Sequence, residues 1–383
     1  MSIARPSLKL QPPPPQAAEP AASTEAALVE LLRAAAARDA ATLYAVVGTR
    51  PMMRVEGEMA LVGTEPSIAG GDVERFIFEF APQGDADAFG EWTCHVPGIG
   101  RVRCVTFSDQ SGSGLILHLP RPAVSTADEL GISAEVQALC AQSDGLVVVA
   151  GPRGSGKSTL LNAFVDLINR SRYDHVITIE SQIRVLHDKR HSFISQREVL
   201  GDGEAIAAAA RAALREGPDV LVIEDLRAPE ALSAALDAAR AGRLVFGSIS
   251  APTAASAVER LIEAFPSDRR PPVRASLSGV LRAVVSQVLV HKAVGGRVAA
   301  REVLLSSPTV KKLVLDGATS QLSIAIESGR DIGMVTMVDA LGELVRDGVV
   351  DIAEACRAAP DRRALIAALE RDGIDVSGVE KRA

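Results

Sequence analysis

One octapeptide limits what this chain can fold into more than any other feature: Gly151-Pro152-Arg153-Gly154-Ser155-Gly156-Lys157-Ser158. It follows Leu146-Val147-Val148-Val149-Ala150 and precedes Thr159-Leu160-Leu161-Asn162-Ala163-Phe164. The first flank reads as a buried strand and the second as the start of a helix. GxxxxGK[ST] between a strand and a helix is a phosphate-binding loop. Its glycines let backbone N–H groups turn inward around phosphate oxygens, and the helix N-terminus adds a favourable dipole. Lys157 is placed to reach the β- and γ-phosphates, and the Ser158 hydroxyl to ligate Mg2+. A chance match in a glycine-rich loop would lack these flanks. Gly151, Gly154, Ser155, Gly156, Lys157, Ser158 and Thr159 are therefore the candidate ATP-binding residues.

A second element, Asp219-Val220-Leu221-Val222-Ile223-Glu224-Asp225, is an apolar strand that ends in carboxylates. After a phosphate loop this reads as a Walker B strand rather than an ordinary solvated strand end. One acid there holds Mg2+ and a neighbouring one polarises the attacking water. Asp225 and Glu224 are the candidates for chemistry, and Asp225 with Ser158 for the metal.

The rest of the chain bounds the setting. Its 383 residues, 47% hydrophobic, suffice for two domains with separate cores. Residues 1–24 carry the run Pro12-Pro13-Pro14-Pro15 and read as a disordered tail or a docking arm. Residues 25–121 read as a small α/β domain, with a helix over Ala26–Arg38 and strands over Met52–Val55, Phe76–Phe80, Arg101–Phe107 and Leu115–Leu119. Residues 122–144 form a linker and a helix over Ala127–Leu139.

From Gly145 apolar strands (Leu146–Ala150, Val176–Glu180, Val220–Glu224, Leu244–Ile249) alternate with helical stretches such as Glu204–Arg215 and Pro229–Ala241. That alternation predicts an α/β domain with a largely parallel sheet over residues 145–305. Beyond about Arg274 the pattern is mainly helical apart from a strand at Val298–Leu304, and residues 306–383 read as a helical C-terminal region.

The four cysteines form no CxxC pair, so no zinc site is expected, and reduced thiols suit a cytoplasmic protein. No apolar run approaches the roughly 20 residues of a membrane span. The net charge of −7 argues against general nucleic-acid binding.

With these elements in place, the chain resembles the secretion ATPase superfamily of type II secretion and type IV pili, and within it the PilT-type retraction ATPases. In the first domain the resemblance rests on Arg50-Pro51-Met52-Met53-Arg54-Val55-Glu56-Gly57, Val96-Pro97-Gly98 and Glu129-Leu130-Gly131. In the second it rests on Ser195-Gln196-Arg197-Glu198-Val199, Ala213-Leu214-Arg215-Glu216, Leu244-Val245-Phe246-Gly247, Val285-Ser286-Gln287 and Gly295-Gly296-Arg297-Val298-Ala299-Ala300. Gly333-Met334-Val335-Thr336-Met337-Val338 adds a C-terminal match whose plain role is helix packing.

The resemblance implies a PAS-like N-terminal domain joined to a RecA-like P-loop ATPase domain. It also implies ATP and Mg2+ as cofactors and a homohexamer at the cytoplasmic side of the inner membrane. The partners it implies are a type IV pilus platform protein or a paralogous pilus ATPase. The zinc module of the extension and type II secretion relatives is absent, which favours the retraction branch.

The chain departs from the family where chemistry is expected. The family's Asp box, roughly Thr-Ile-Glu-Asp-Pro-Ile-Glu, reads Thr178-Ile179-Glu180-Ser181-Gln182-Ile183-Arg184 here. Arg184 replaces the glutamate thought to act as base, and a guanidinium cannot accept a proton. Glu180 remains, but in an extended segment its side chain would point to the other face.

Aligned on Arg227, Asp225 stands at the Walker B glutamate and Glu224 at a glycine. Ser250 stands where the His box has histidine, and Thr309-Val310-Lys311-Lys312-Leu313-Val314 replaces Ala-Ile-Arg-Asn-Leu-Ile. Of three arginines that the N-terminal domain contributes across the subunit interface, only Arg103 matches; the other positions hold Ser111 and His118. Losing such arginines can cost ~10³ in turnover.

Two functions follow. One is a hexameric motor for pilus retraction. The other is an ATP-binding regulatory or structural partner of an active motor, with hydrolysis weak or absent. Displaced acids at Glu180 or Glu224 could also restore the missing role. A DNA-handling P-loop ATPase is disfavoured by the net acidity and the lack of an aromatic-plus-basic strip.

Overall fold

The computed structural model describes residues 27–55, 57–63, 67–81, 90–109, 112–119 and 124–376. The expected N-terminal tail, the prolines at 120 and 122, Ser111 and the end of the expected C-terminal tail lie outside them. The chain divides into two compact units, Met1–Leu119 and Pro120–Ala383.

In the first unit, α1 (Ala27–Ala36) is followed by β1 (Thr42–Val46), β2 (Met52–Val55), β3 (Glu58–Leu61), α2 (Gly70–Phe80), β4 (Glu91–Val96), β5 (Gly100–Asp109) and β6 (Gly112–His118). The strands form one antiparallel sheet in the order β3-β2-β1-β6-β5-β4. Leu28 and Leu32 of α1 and Val73 and Phe76 of α2 share a core with Leu43, Met53, Leu115 and Leu117 of the strands. Each such large side chain taken fully out of water contributes about 1.5–3 kcal/mol.

The strand expected at Phe76–Phe80 is the second half of α2. Val73, Phe76, Ile77 and Phe80 meet the core at helical spacing, whereas Phe78, on the supposed strand face, is 82% exposed.

The second unit opens with the short helix α3 (Ala134–Gln137), then runs β7 (Gly145–Ala150), α4 (Lys157–Ser171), β8 (His175–Glu180), β9 (Phe193–Glu198), α5 (Gly203–Leu214), β10 (Val220–Ile223), α6 (Pro229–Arg240), β11 (Leu244–Ile249), α7 (Ala254–Glu263) and α8 (Arg270–Val280). The long hairpin β12 (Leu281–His291) and β13 (Arg297–Leu305) follows, then α9 (Pro308–Asp316), α10 (Leu322–Ser328), α11 (Met337–Arg346), α12 (Ile352–Ala358) and α13 (Arg362–Arg371).

The helix expected over Ala127–Leu139 is broken. Gly131 takes a left-handed φ of 59°, and the chain turns before α3. The expectation of a mainly helical chain after Arg274 also fails, because eleven residues there form β12.

The seven strands take the order β13-β12-β7-β11-β10-β8-β9. All neighbours are parallel except the β12–β13 hairpin. Strand alternation sorts the core into two layers. Val147 and Val149 of β7 pack with Leu160 and Phe164 of α4, and Leu146, Val148 and Ala150 pack with the layer that holds α5 to α8. β7 thus lies mid-sheet and buried on both faces, which fixes where the loop at its C-terminal end emerges. Among the described residues, no helix is long and apolar enough to cross a membrane.

Candidate functional site

The phosphate loop leaves β7, an inner strand of the sheet, and runs directly into α4. Gly151, Gly154 and Gly156 have φ of 149°, 80° and 87°, values that a side chain would strain. Gly156 is the N-cap of α4, so the first turn of the helix faces the loop. Lys157 bends back across it, and its Nζ donates to the carbonyls of Gly151 and Pro152, both at 2.8 Å. Burial lowers the Lys157 pKa from its ordinary value, partly opposed by the carboxylates of Asp225 and Glu224. Ser155 is 3% exposed, and Thr159 sits in the first turn of α4.

The two Walker B acids separate. The Ser158 hydroxyl donates to Glu224 Oε1 at 2.8 Å. Glu224 Oε2 accepts from the Ser181 amide at 2.9 Å and the Ser181 hydroxyl at 2.7 Å. Ser248, at the end of β11, donates to the Glu224 carbonyl. Asp225 instead faces Arg227, whose Nε lies 3.0 and 2.8 Å from its two carboxylate oxygens. Glu224, not Asp225, is therefore the acid on the Ser158 hydroxyl.

Glu180 also departs from expectation. Its side chain lines the same cleft as Ser158 and Glu224, together with Asn162 and Thr178. The cause is strand alternation: Val176 of β8 packs on the α4 layer, and Thr178 and Glu180 share its face. Glu180 Oε1 accepts from the Thr178 hydroxyl at 2.7 Å and from Gln196 Nε2 at 3.1 Å. Burial raises its pKa, against those two hydrogen bonds.

Arg184 is exposed beyond β8, and Ser250 offers its carbonyl to Arg260. Arg103 lies on β5 of the first unit, ion-paired with Glu91 of β4. His118, on β6, pairs through Nδ1 with the Thr42 hydroxyl at 3.2 Å. Sequence reading met Ser181 and Gln196 only as members of longer motifs and gave neither of them, nor Ser248, a role at the site. They matter only once β8, β9, β10 and β11 lie side by side.

His187 closes the back of this region, with Nε2 3.0 Å from Asn162 Oδ1. Burial lowers its pKa from 6.5 to about 4. The folded state then binds fewer protons than the unfolded one. The stability due to neutral His187 is complete above pH 6.5 and is lost as pH falls toward 4. The loss amounts to about 3 kcal/mol. His187→Gln should flatten the urea-derived stability profile across that interval, and an unchanged slope would remove His187 as its source.

The sequence profile of the family described as Type II/IV secretion system protein matches residues 123–357. The type IV pilus retractation ATPase PilT of Pseudomonas aeruginosa is 34% identical over 84% of this chain and 95% of its own length. The type IV pilus ATPase PilU of the same organism is 31% identical over 85% of this chain and 87% of its own length. The crystal structure of the pilus retraction motor PilT with bound ADP superposes with a TM-score of 0.79 at 30% identity, over 89% of this chain and 99% of that one. The same two-part architecture, an N-terminal domain and a RecA-like ATPase domain, is present in both. The chain belongs to the type II/IV secretion system protein family, among its PilT-type members.

Proposed function

We propose that this protein binds ATP with Mg2+ at the phosphate loop and assembles as a homohexameric ring. In this reading the ring sits at the cytoplasmic side of the inner membrane against a pilus platform protein. It couples nucleotide state to pilus retraction, with hydrolysis well below that of active relatives. The observation that carries the reading is the Ser158–Glu224 contact at the mouth of a glycine-shaped loop on an inner strand of the sheet. Lys157, the α4 N-terminus and the loop amides supply the positive field for a triphosphate.

The donors fit a magnesium ion. A hydroxyl and a carboxylate, 2.8 Å apart, are the hard oxygen ligands this ion accepts beside water and phosphate. Ser158 and Glu224 would hold it, in place of the Ser158 and Asp225 pair expected from sequence. Bound there, Mg2+ would offset phosphate charge. Glu224→Gln is expected to weaken ATP affinity about tenfold in Mg2+ and little in EDTA. Equal loss under both conditions would count against this assignment.

Slow hydrolysis is supported by Arg184 at the base position, Ser250 at the His box and the capture of Asp225 by Arg227. A calorimetric ATP titration, a mass measurement and a phosphate-release assay beside a PilT-type motor test the whole reading. Binding, a ring-sized species and release about 100-fold slower are expected. Release equal to the active motor's, and abolished by Lys157→Ala, overturns slow hydrolysis.

The same substitutions favour a second reading, a regulatory or structural partner of an active pilus motor. One organism can carry two such proteins, as Pseudomonas aeruginosa does with PilT and PilU. A change in an active motor's phosphate release on adding this protein would support the second reading, and no change would leave the first.

A further inference from the structure

The phosphate loop rests on a buried relay built from residues far from it in sequence. Gln287, 3% exposed on β12, donates from Nε2 to the Ser155 carbonyl at 2.6 Å. Its Oε1 accepts from Arg301 Nε, on β13, at 2.7 Å. The remaining arms of Arg301 donate to the carbonyls of Gly131 and Leu130, at 3.0 and 2.8 Å.

Three physical consequences follow. Burial lowers the Arg301 pKa only to about 10, so at neutral pH it stays a cation with donors alone. Gln287 must therefore present its oxygen to Arg301 and its NH2 group to Ser155; the charge removes the freedom to flip the amide. The Ser155–Gly156 peptide is planar and trans, so holding the Ser155 carbonyl on Gln287 turns the Gly156 N–H to the opposite side. Gln287 also occupies the space beneath the loop. A Cβ on Gly156 would lie 2.7 Å from its Nε2, and one on Gly151 2.3 Å from its carbonyl.

We infer that Gln287, locked by Arg301, is a positioning residue that aims the Gly156 N–H at the bound phosphates and ties phosphate-loop geometry to Leu130 and Gly131. This inference rests on the proposed nucleotide site.

Gln287→Glu tests it. Glutamate keeps the shape and still accepts from Arg301, but it sets an oxygen against the Ser155 carbonyl. Titration of the full-length chain with a fluorescent ATP analogue, and displacement by tripolyphosphate, should both show affinity lowered roughly tenfold or more. The melting temperature without nucleotide checks the fold. Because the device acts on the phosphates, tripolyphosphate must lose affinity in parallel with the nucleotide while the melting temperature stays near that of wild type; a general loosening of the fold would lower both. Arg301→Met should act through the same bond, so combining it with Gln287→Met should lose no more than Gln287→Met alone.

If the wild-type chain does not bind the analogue, or Lys157→Ala binds it equally, the nucleotide reading fails. If wild type binds, Lys157→Ala does not and Gln287→Glu matches wild type, the relay fails and the nucleotide site stands. Should Gln287→Glu not fold, Gln287→Met, which keeps the volume and removes both bonds, decides on the same criteria.

Discussion

Lys157→Ala is expected to lower ATP affinity by roughly 30- to 1,000-fold, the equivalent of about 2–4 kcal/mol. The lysine is already folded over the loop, bonded to the Gly151 and Pro152 carbonyls at 2.8 Å. A triphosphate would take those carbonyls' place as its partner. Burial already costs the charged amine part of its stability, which phosphate oxygens would restore. Removing the amine leaves phosphate charge facing a loop that has only backbone dipoles. Calorimetric titration reads the effect. Because Lys157 is on the helix surface and half-buried, the variant should melt within a few degrees of wild type. An affinity within a factor of about two of wild type would place the nucleotide elsewhere.

The second large effect is a gain. Arg184→Glu combined with Ser250→His should raise phosphate release about 100-fold over the wild-type chain. The first change restores a carboxylate able to take the proton of an attacking water, and the second restores the side chain that the PilT-type His box carries. Arg184 is exposed past the end of β8, so glutamate there buries no charge. The acids around the phosphate loop are already occupied. Glu180 accepts from Thr178 and Gln196, Glu224 from Ser158 and Ser181, and Asp225 from Arg227. A rate that stays at the wild-type level would show that the restored pair does not limit turnover, and slow hydrolysis would need another cause.

Much of the architecture was legible in the chain. β7 and β10 are unbroken apolar runs, and β8 and β11 carry apolar runs interrupted by Thr178 and by Gly247-Ser248, because both faces of a central parallel sheet are covered. The failures have particular causes. The Phe76–Phe80 run satisfies a strand period over five residues, and the longer helical stripe from Val73 shows only against a core. β12 contains Ser286 and Gln287 within an apolar stretch and so lacked a clean pattern; both are buried because the phosphate loop and its neighbours take their hydrogen bonds. β9, at the sheet edge, is only half-buried along its length and carried a correspondingly faint signal.

The sequence by itself determined the phosphate loop, since GxxxxGKS between a strand and a helix is a local device whose glycine angles and helix dipole need nothing distant. It also determined the family, because so many short motifs occur in order. Which acid meets Ser158 was decided only by the tertiary structure. Glu224 and Asp225 are neighbours in sequence, but successive residues point to opposite sides, and only the packing of β10 between β8 and β11 selects the one that faces α4. The same holds for Gln287 and Arg301, which reach the loop from 132 residues away and the 130–131 carbonyls from 170 and more. Contacts over such distances are set by strand order and register, and no local pattern encodes them.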